Sequence, residues 1–200
     1  IEYGEEKNFS FKRGHVNSYS CSCSVGQIPS LNFGISAFGE SGGGLSADPH
    51  TPPVDDTILI AHPGSIVIDV NGESTNRVQS FDVTVNISRE PYHVLGQLEP
   101  EAFILQFPVQ VDCQFVLHID DYESASMLDF VCLPTVQDLT FFFNDCATGE
   151  YIRKLFVKGA RLVDYQQRGG IGEALEATLT YKSLLNGSGD LKKVVSGESF

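Results

Sequence analysis

The segment Phe103–Ile119, FILQFPVQVDCQFVLHI, decides the fold class of this chain. Apolar and polar residues alternate over most of its length, as in a strand with one buried face and one face open to water. The apolar set is Phe107, Val109, Val111, Cys113, Phe115, Leu117 and Ile119; the polar set is Gln106, Gln110, Asp112, Gln114 and His118; Pro108 and Val116 are exceptions. The segment is far longer than a usual strand of about 5–6 residues, which favours an assembled barrel over a monomeric sandwich. Pro108 indicates an edge position, a bend or a bulge near its start.

The same alternation recurs on both sides of this segment. It covers Ser18–Val25, Leu31–Ala37 and Phe81–Ser88, and shorter strands are predicted at Ile66–Val70, Leu139–Phe143, Tyr151–Val157, Arg161–Gln166 and Ala174–Tyr181. We therefore predict a mostly β protein, an antiparallel β-sandwich or barrel, with a single domain over residues 1–185. One short α-helix is predicted from Asp121 to about Phe130, because Asp120 and Glu123 form a capping box before it.

Two segments have the composition of loops. Residues 39–56 are rich in Gly, Pro and Asp and poor in apolar residues, and a connection of this length inside a domain is often functional. Residues 186–200 are rich in Gly, Ser and Lys, which predicts a flexible tail or one that a partner orders.

Charge argues against binding to a nucleic-acid backbone. The formal net charge is −13, and the stretch from Glu40 to Glu150 holds eighteen acidic residues but only two cations, Arg77 and Arg89. The polar faces of the strands before Asp120 contain no Lys or Arg. Such a face suits the wall of a water-filled passage that does not hold a polyanion, although a solvated acidic surface explains the overall charge equally well.

No known catalytic or metal-binding motif is present. The five cysteines have no C-x-x-C or zinc spacing, and the five histidines are scattered. The Gly42–Gly44 run lacks the Lys-Ser/Thr of a phosphate loop, and no nucleophile elbow is found. We expect no enzyme, no cofactor and no metal. Loop solvation and helix capping explain the Asp55-Asp56 and Asp120-Asp121 pairs better than Ca²⁺ binding does.

Several short motifs resemble those of phage tail tube proteins. Within Val78–Ile119 these are the Arg89-Glu90-Pro91 turn, the Leu95-Gly96 step and the Phe107-Pro108 opening of the long strand. The stretch from Val16 to Ile35, with its Ser-Val-Gly-x-Ile-Pro turn at Ser24–Pro29, is similar to the opening hairpin of that family. Together these motifs cover about a third of the chain, and the C-terminal third matches only in strand pattern.

The resemblance implies a structural subunit of the virion that is synthesised in the host cytoplasm. Hexameric rings would stack into a tube, long strands of each subunit would form one continuous inner barrel, and viral DNA would pass through without specific binding. The partners implied are other copies of the chain and other tail proteins, namely a baseplate or tail tip, a terminator and, in some tails, a sheath. No membrane is implied.

This interpretation assigns residues to three surfaces. The predicted lumen-facing residues are Ser20, Ser22, Asp82, Thr84, Asn86, Gln110, Asp112 and Gln114. The predicted inter-ring loop contains Gly42, Gly43, Gly44, Asp48, Pro52, Asp55 and Asp56. The predicted inter-subunit charge contacts, which would meet an acidic surface, are Arg153, Lys154, Lys158 and Arg161. Facing away from the lumen, Phe81, Val83, Val85, Phe107, Val109, Val111, Phe115 and Leu117 should pack against outer elements.

Two other functions stay open at this point. A monomeric or trimeric β-sandwich module of a phage fibre, baseplate or adhesin would use residues 39–56 to bind a ligand, and would need neither long strands nor a ring. A hydrolase with a shallow carboxylate site is a weaker alternative, since no motif supports it.

Overall fold

The computed structural model describes residues 2–3, 7–42, 60–97, 99–120, 136–144, 151–169, 174–185 and 194–198. These residues form strands joined by turns. The strands are β1 Glu2–Tyr3, β2 Lys7–Ser24, β3 Ser30–Gly42, β4 Ile66–Val70, β5 Glu73–Thr75, β6 Val78–Asn86, β7 Arg89–Tyr92, β8 Ala102–Leu105, β9 Val109–Ile119, β10 Gln137–Asn144, β11 Tyr151–Arg168, β12 Leu175–Leu185 and β13 Val194–Glu198. The protein is therefore mostly β, as predicted.

One 11-stranded sheet contains all of these strands except β7 and β8, which pair with each other. Its order is β1-β2-β6-β9-β12-β11-β10-β4-β5, with β3 added on β2 and β13 on β11. Every pairing in the sheet is antiparallel. Neighbouring strands are often distant in sequence, so the fold depends on long-range pairing.

The sheet folds over on itself through β11. Residues 161–168 of β11 pair with β12, whereas residues 151–160 pair with β10. Between the two halves, Gly159 has a φ of +73°, a conformation that glycine adopts readily. The backbone N–H of Gly159 donates to Oδ1 of Asp138 at 2.9 Å, which holds β10 at this bend. We call β3, β2, β6, β9, β12 and residues 161–168 the first layer, and residues 151–160, β10, β4, β5 and β13 the second layer.

The core lies between these layers. Alternate residues are buried from Phe81 to Val85 in β6 and from Val109 to Leu117 in β9. Phe141 of the second layer meets the rings of Phe81 and Phe115 at centroid distances of 5.0 and 6.0 Å. The apolar half of the alternation therefore forms the core, because each of its side chains points at the second layer.

Phe107 is the exception to the predicted buried set. It is 39% exposed, and the strand predicted over Phe103–Ile119 is broken around it. Residues before the break form β8, which pairs with β7, and residues after it form β9 in the main sheet. Pro108, which follows a cis peptide bond, has no N–H to donate to a neighbouring strand. The prediction of one seventeen-residue strand was wrong, and the alternative of a bend at Pro108 is correct.

The longest strands of the protein lie elsewhere. β2 and β11 each contain 18 residues, whereas the sequence predicted the shorter strands Ser18–Val25 in the place of β2 and Tyr151–Val157 and Arg161–Gln166 in the place of β11. β3 continues to Gly42, so the first four residues of the loop predicted over residues 39–56 belong to a strand, and Gly42 pairs with Phe9. In the predicted tail, residues 194–198 form β13 on β11 of the same chain. The predicted helix over Asp121–Phe130 lies outside the described residues.

An introduced carboxylate should affect the stability of the fold differently on the two faces of β9. Val111 is fully buried between Val85 and Ser183, its partners on either side, whereas Gln114 is exposed on the same strand. Val111→Asp should destabilise the fold by about 3–5 kcal/mol, since its charge would be buried without a partner. Gln114→Asp should leave the free energy of unfolding nearly unchanged. Chemical denaturation measures both; equal losses would contradict the assignment of faces.

A second prediction concerns alkaline pH. Cys113 and Tyr181 are direct partners on β9 and β12, and both are fully buried. Burial, helped by the charges of Asp112 and Asp82, raises the pKa of the Cys113 thiol from 9.0 to about 12. Burial also raises the pKa of the Tyr181 hydroxyl. Above the pKa values of the unfolded chain, the folded state therefore keeps protons that the unfolded chain releases. The stability that these groups contribute at lower pH is lost as the pH rises toward their pKa values in the folded state.

The free energy of unfolding should thus fall from about pH 9 upward. Cys113→Ala should make this fall shallower, with the remaining slope due to Tyr181 and to Cys23, since burial raises the pKa of both groups. Urea titrations at a series of pH values measure the effect. An identical slope in the wild type and in Cys113→Ala would contradict it.

Candidate assembly surface

The eight predicted lumen-facing residues lie on one face of the first layer. Strand register places them in three rows that run across β2, β6, β9 and β12. The Ser22 row contains Ser22, Asp82, Gln114 and Thr180; the Ser20 row contains Ser20, Thr84, Asp112 and Lys182; the Ser18 row contains Ser18, Asn86, Gln110 and Leu184. We call this surface the polar face. It lies opposite the core because side chains alternate along every strand.

Side chains on the polar face contact one another along and across the strands. The amide nitrogen of Gln110 donates to both carboxylate oxygens of Asp112, at 2.9 and 2.8 Å. The Thr84 hydroxyl donates to Oδ1 of Asp82 at 3.1 Å. Across the strands, Nε2 of Gln114 donates to the Thr180 hydroxyl at 3.4 Å. Asp82 and Asp112 therefore each accept hydrogen bonds from a neutral side chain of the same strand.

The polar face holds no cation on residues 18–24 of β2, on β6 or on β9, the strands for which the sequence predicted this, but it holds one on β12. Lys182 of β12 is directly opposite Asp112, with its ammonium nitrogen 3.4 Å from Oδ1 of that carboxylate. Arg161 of β11 is in turn directly opposite Lys182. Sequence reasoning missed Lys182 because its place beside Asp112 depends on the register of two strands about seventy residues apart in sequence. The sequence signal that could have found it is the alternation along β12, which places Lys182 on the face opposite to its neighbours Tyr181 and Ser183.

The predicted charge-contact residues do not form one patch. Lys154 is half-buried in the second layer, 5.5 Å above the centre of the Phe142 ring. Lys158 is exposed near the bend of β11, and Arg161 lies on the polar face of the first layer. The side chain of Arg153 is outside the described part.

Both ends of the first layer have an open edge within the described residues. β3 pairs with β2 on one edge and with no described strand on the other. Residues 161–168 of β11 pair with β12 on one edge, and β10 reaches only as far as Ala160 on the other. Each open edge presents backbone N–H and C=O groups that can pair with another strand.

The open strand β3 also carries exposed apolar side chains. Leu31, Phe33 and Ile35 are 41%, 54% and 64% exposed. Their partners on β2 are Cys21, Tyr19 and Val16, so they lie on the same side of the sheet as the core. Their exposure shows that the described residues leave this apolar strip on β3 largely uncovered.

The small β7–β8 sheet is held against the projecting β2–β3 hairpin. Phe103 of β8 contacts His15 and Phe38, with ring centroids 4.3 and 4.8 Å away. Nη1 of Arg13 donates to the Glu101 carbonyl at 3.2 Å. These contacts attach the hairpin to the β7–β8 sheet in addition to the pairing of its own two strands.

Beyond Gly42, the predicted inter-ring loop residues lie outside the described part of the chain. Among the described residues, no three His, Cys, Asp or Glu side chains come together as a metal site. The same residues include no helix that could cross a membrane. The features that the described residues offer are surfaces for assembly: a polar face, two open strand edges and an apolar strip.

Residues 3–182 match the model of the family described as phage tail tube protein. The chain belongs to the phage tail tube protein family. This tail tube protein is thus a structural component of the virion tail, as the motifs at Arg89-Glu90-Pro91 and Phe107-Pro108 indicated. No curated protein matches it.

Solved structures similar to this tail tube protein include Hcp1 from Flavobacterium johnsoniae, with 13% identity and a TM-score of 0.40, covering 61% of this chain and 95% of that one. The anti-feeding prophage cap is similar with 10% identity and a TM-score of 0.46, over 68% of this chain and 99% of that one. The tail of a gene transfer agent particle, refined with C6 symmetry, has 10% identity and a TM-score of 0.40, over 62% and 94%.

Proposed function

We propose that this tail tube subunit assembles into hexameric rings whose inner barrel is built from the first layers of six copies. The polar face would line the lumen through which viral DNA passes. The observation that carries the proposal is the polar face itself, where three aligned rows cross four strands opposite the buried core; apart from Lys182 and Leu184 their side chains are neutral polar or acidic. An ordinary exposed sheet face usually carries many Lys and Arg side chains.

The two open edges support ring closure. β3 of one copy can pair with residues 161–168 of β11 in the next, which would continue the first layer from subunit to subunit. This contact is head-to-tail, so a suitable rotation closes it into a ring. Closure removes both open edges, which would otherwise favour aggregation. The neighbouring copy would also cover the apolar strip of Leu31, Phe33 and Ile35.

Contacts along the tube are assigned to other segments. Residues 43–56 would reach the next ring, and Arg153, Lys154 and Lys158 would meet acidic surfaces of a neighbouring subunit or of a sheath. Other tail proteins, such as a baseplate or tail tip and a terminator, would contact the two ends of the tube. The role of the subunit is mechanical and electrostatic, and no catalytic step is assigned to it.

Ring closure predicts that the apolar strip is needed for assembly but not for folding. Ile35→Lys should give a folded chain that forms neither rings nor tubes, because the charge would be buried at the subunit contact. Asn32→Lys, on the opposite face of β3, is the matched control and should still assemble. Negative-stain electron microscopy and mass photometry measure both variants. Tubes of Ile35→Lys would contradict the edge contact, and wild-type rings without sixfold symmetry would contradict the hexamer.

The lumen assignment predicts an effect on DNA passage without an effect on assembly. Asp112→Lys places a further cation on the polar face, where it would attract phosphate groups and slow the movement of DNA. Asp112→Asn controls for loss of the carboxylate and should have a smaller effect. The measurement is the rate of DNA ejection from purified virions. A normal rate with Asp112→Lys would refute the lumen position of the polar face.

A further inference from the structure

Two cations meet at one end of the Ser20 row. Lys182 on β12 and Arg161 on β11 are direct partners across the two strands, and both are exposed. The Cβ atoms of such partners are about 4.5–5.5 Å apart, so one anion can reach both side chains. Nothing in the tail tube motifs or in the family match assigns a role to this pair.

The surrounding charges leave the pair with an excess positive charge. Lys182 forms an ion pair with Asp112, which partly neutralises its charge. The carboxylate of Asp112 also accepts two hydrogen bonds from Gln110. Within the described part of the chain, no acidic side chain forms an ion pair with Arg161. The row from Ser20 to Arg161 thus holds one acid and two cations, a net charge of +1.

The neighbouring rows have a different charge. The Ser22 row continues onto β11 at Asp164, the partner of Thr180, and therefore carries two acids, Asp82 and Asp164. The Ser18 row has no charged side chain. Rows on one face are about 6.5–7 Å apart, less than a Debye length of about 8 Å at physiological salt. At this distance Asp82 and Asp164 weaken the attraction of the Ser20 row for an anion, so an anion is held only in direct contact with Arg161 and Lys182.

We propose that Arg161 and Lys182 form a phosphate-binding site on the polar face. The planar guanidinium donates two hydrogen bonds to one phosphate, and the ammonium group contacts a further oxygen. Such contacts are independent of base sequence. In the tube, an arrangement that rests on the proposed function, six copies form a positive belt at one level of a lumen that is otherwise neutral or acidic. Phosphate groups of the DNA contact this belt in passing.

The test uses the full chain, labelled with ¹⁵N and titrated with inorganic tripolyphosphate at low salt. Amide signals of residues around Arg161 and Lys182 should shift. Arg161→Gln and Lys182→Gln should each lower the binding constant by about threefold, as expected for one exposed charge pair. Asp112→Asn should raise the binding constant, because it frees Lys182. Lys154→Gln, the same charge change in the second layer, should leave it unchanged.

Two outcomes overturn the site: binding that is unchanged in Arg161→Gln and Lys182→Gln, or an oligoglutamate peptide that binds as tightly as tripolyphosphate. Electron microscopy of the same samples separates this proposal from the previous one. Tubes whose subunits do not bind tripolyphosphate refute the site but leave the ring. Binding at Arg161 by chains that never form rings supports the site and contradicts the ring.

Discussion

The rest of the structure depends on one constraint: the strands β2, β6, β9 and β12 bury one face in the core and expose the other face to solvent. On the buried face, Phe81, Phe115 and Tyr181 pack against the second layer. Burial of such side chains is the main source of the stability of the fold. On the solvent-exposed face, polar side chains of neighbouring strands lie directly opposite one another. A shift of one residue in any pairing would exchange the two faces, so the same contacts that stabilise the core also fix the polar face.

This constraint explains why part of the fold could be predicted from sequence and part could not. Alternation is local, so the strands around Val83 and Val111 and the faces of their side chains were predicted from the sequence. The order of the strands in the sheet is not local. That β12 lies beside β9, and Lys182 beside Asp112, depends on packing across the whole domain. The break at Pro108 was foreseen only as one of three possibilities, since a proline limits pairing without choosing a partner.

The candidate surface shows the same division. All eight predicted lumen-facing residues come together, because each could be assigned to a face from its own strand. The residues missed by sequence reasoning, Lys182, Thr180 and Asp164, belong to strands whose neighbours could not be named. The four predicted charge contacts were grouped by their closeness in sequence. Gly159 separates them in space, because β11 passes from one layer to the other at that residue.

The open edges impose a cost on the isolated subunit that its charge helps to offset. A strand such as β3, with an unpaired edge and apolar side chains at Phe33 and Ile35, is the kind of surface on which chains aggregate. A formal net charge of −13 makes the copies repel one another in solution. Ordered pairing of β3 with β11 would satisfy backbone groups along a whole edge, whereas disordered contacts satisfy few. Repulsion opposes both kinds of association, but ordered pairing satisfies more backbone groups and so tolerates it better. The acidic composition therefore favours assembly at the proposed edges over aggregation.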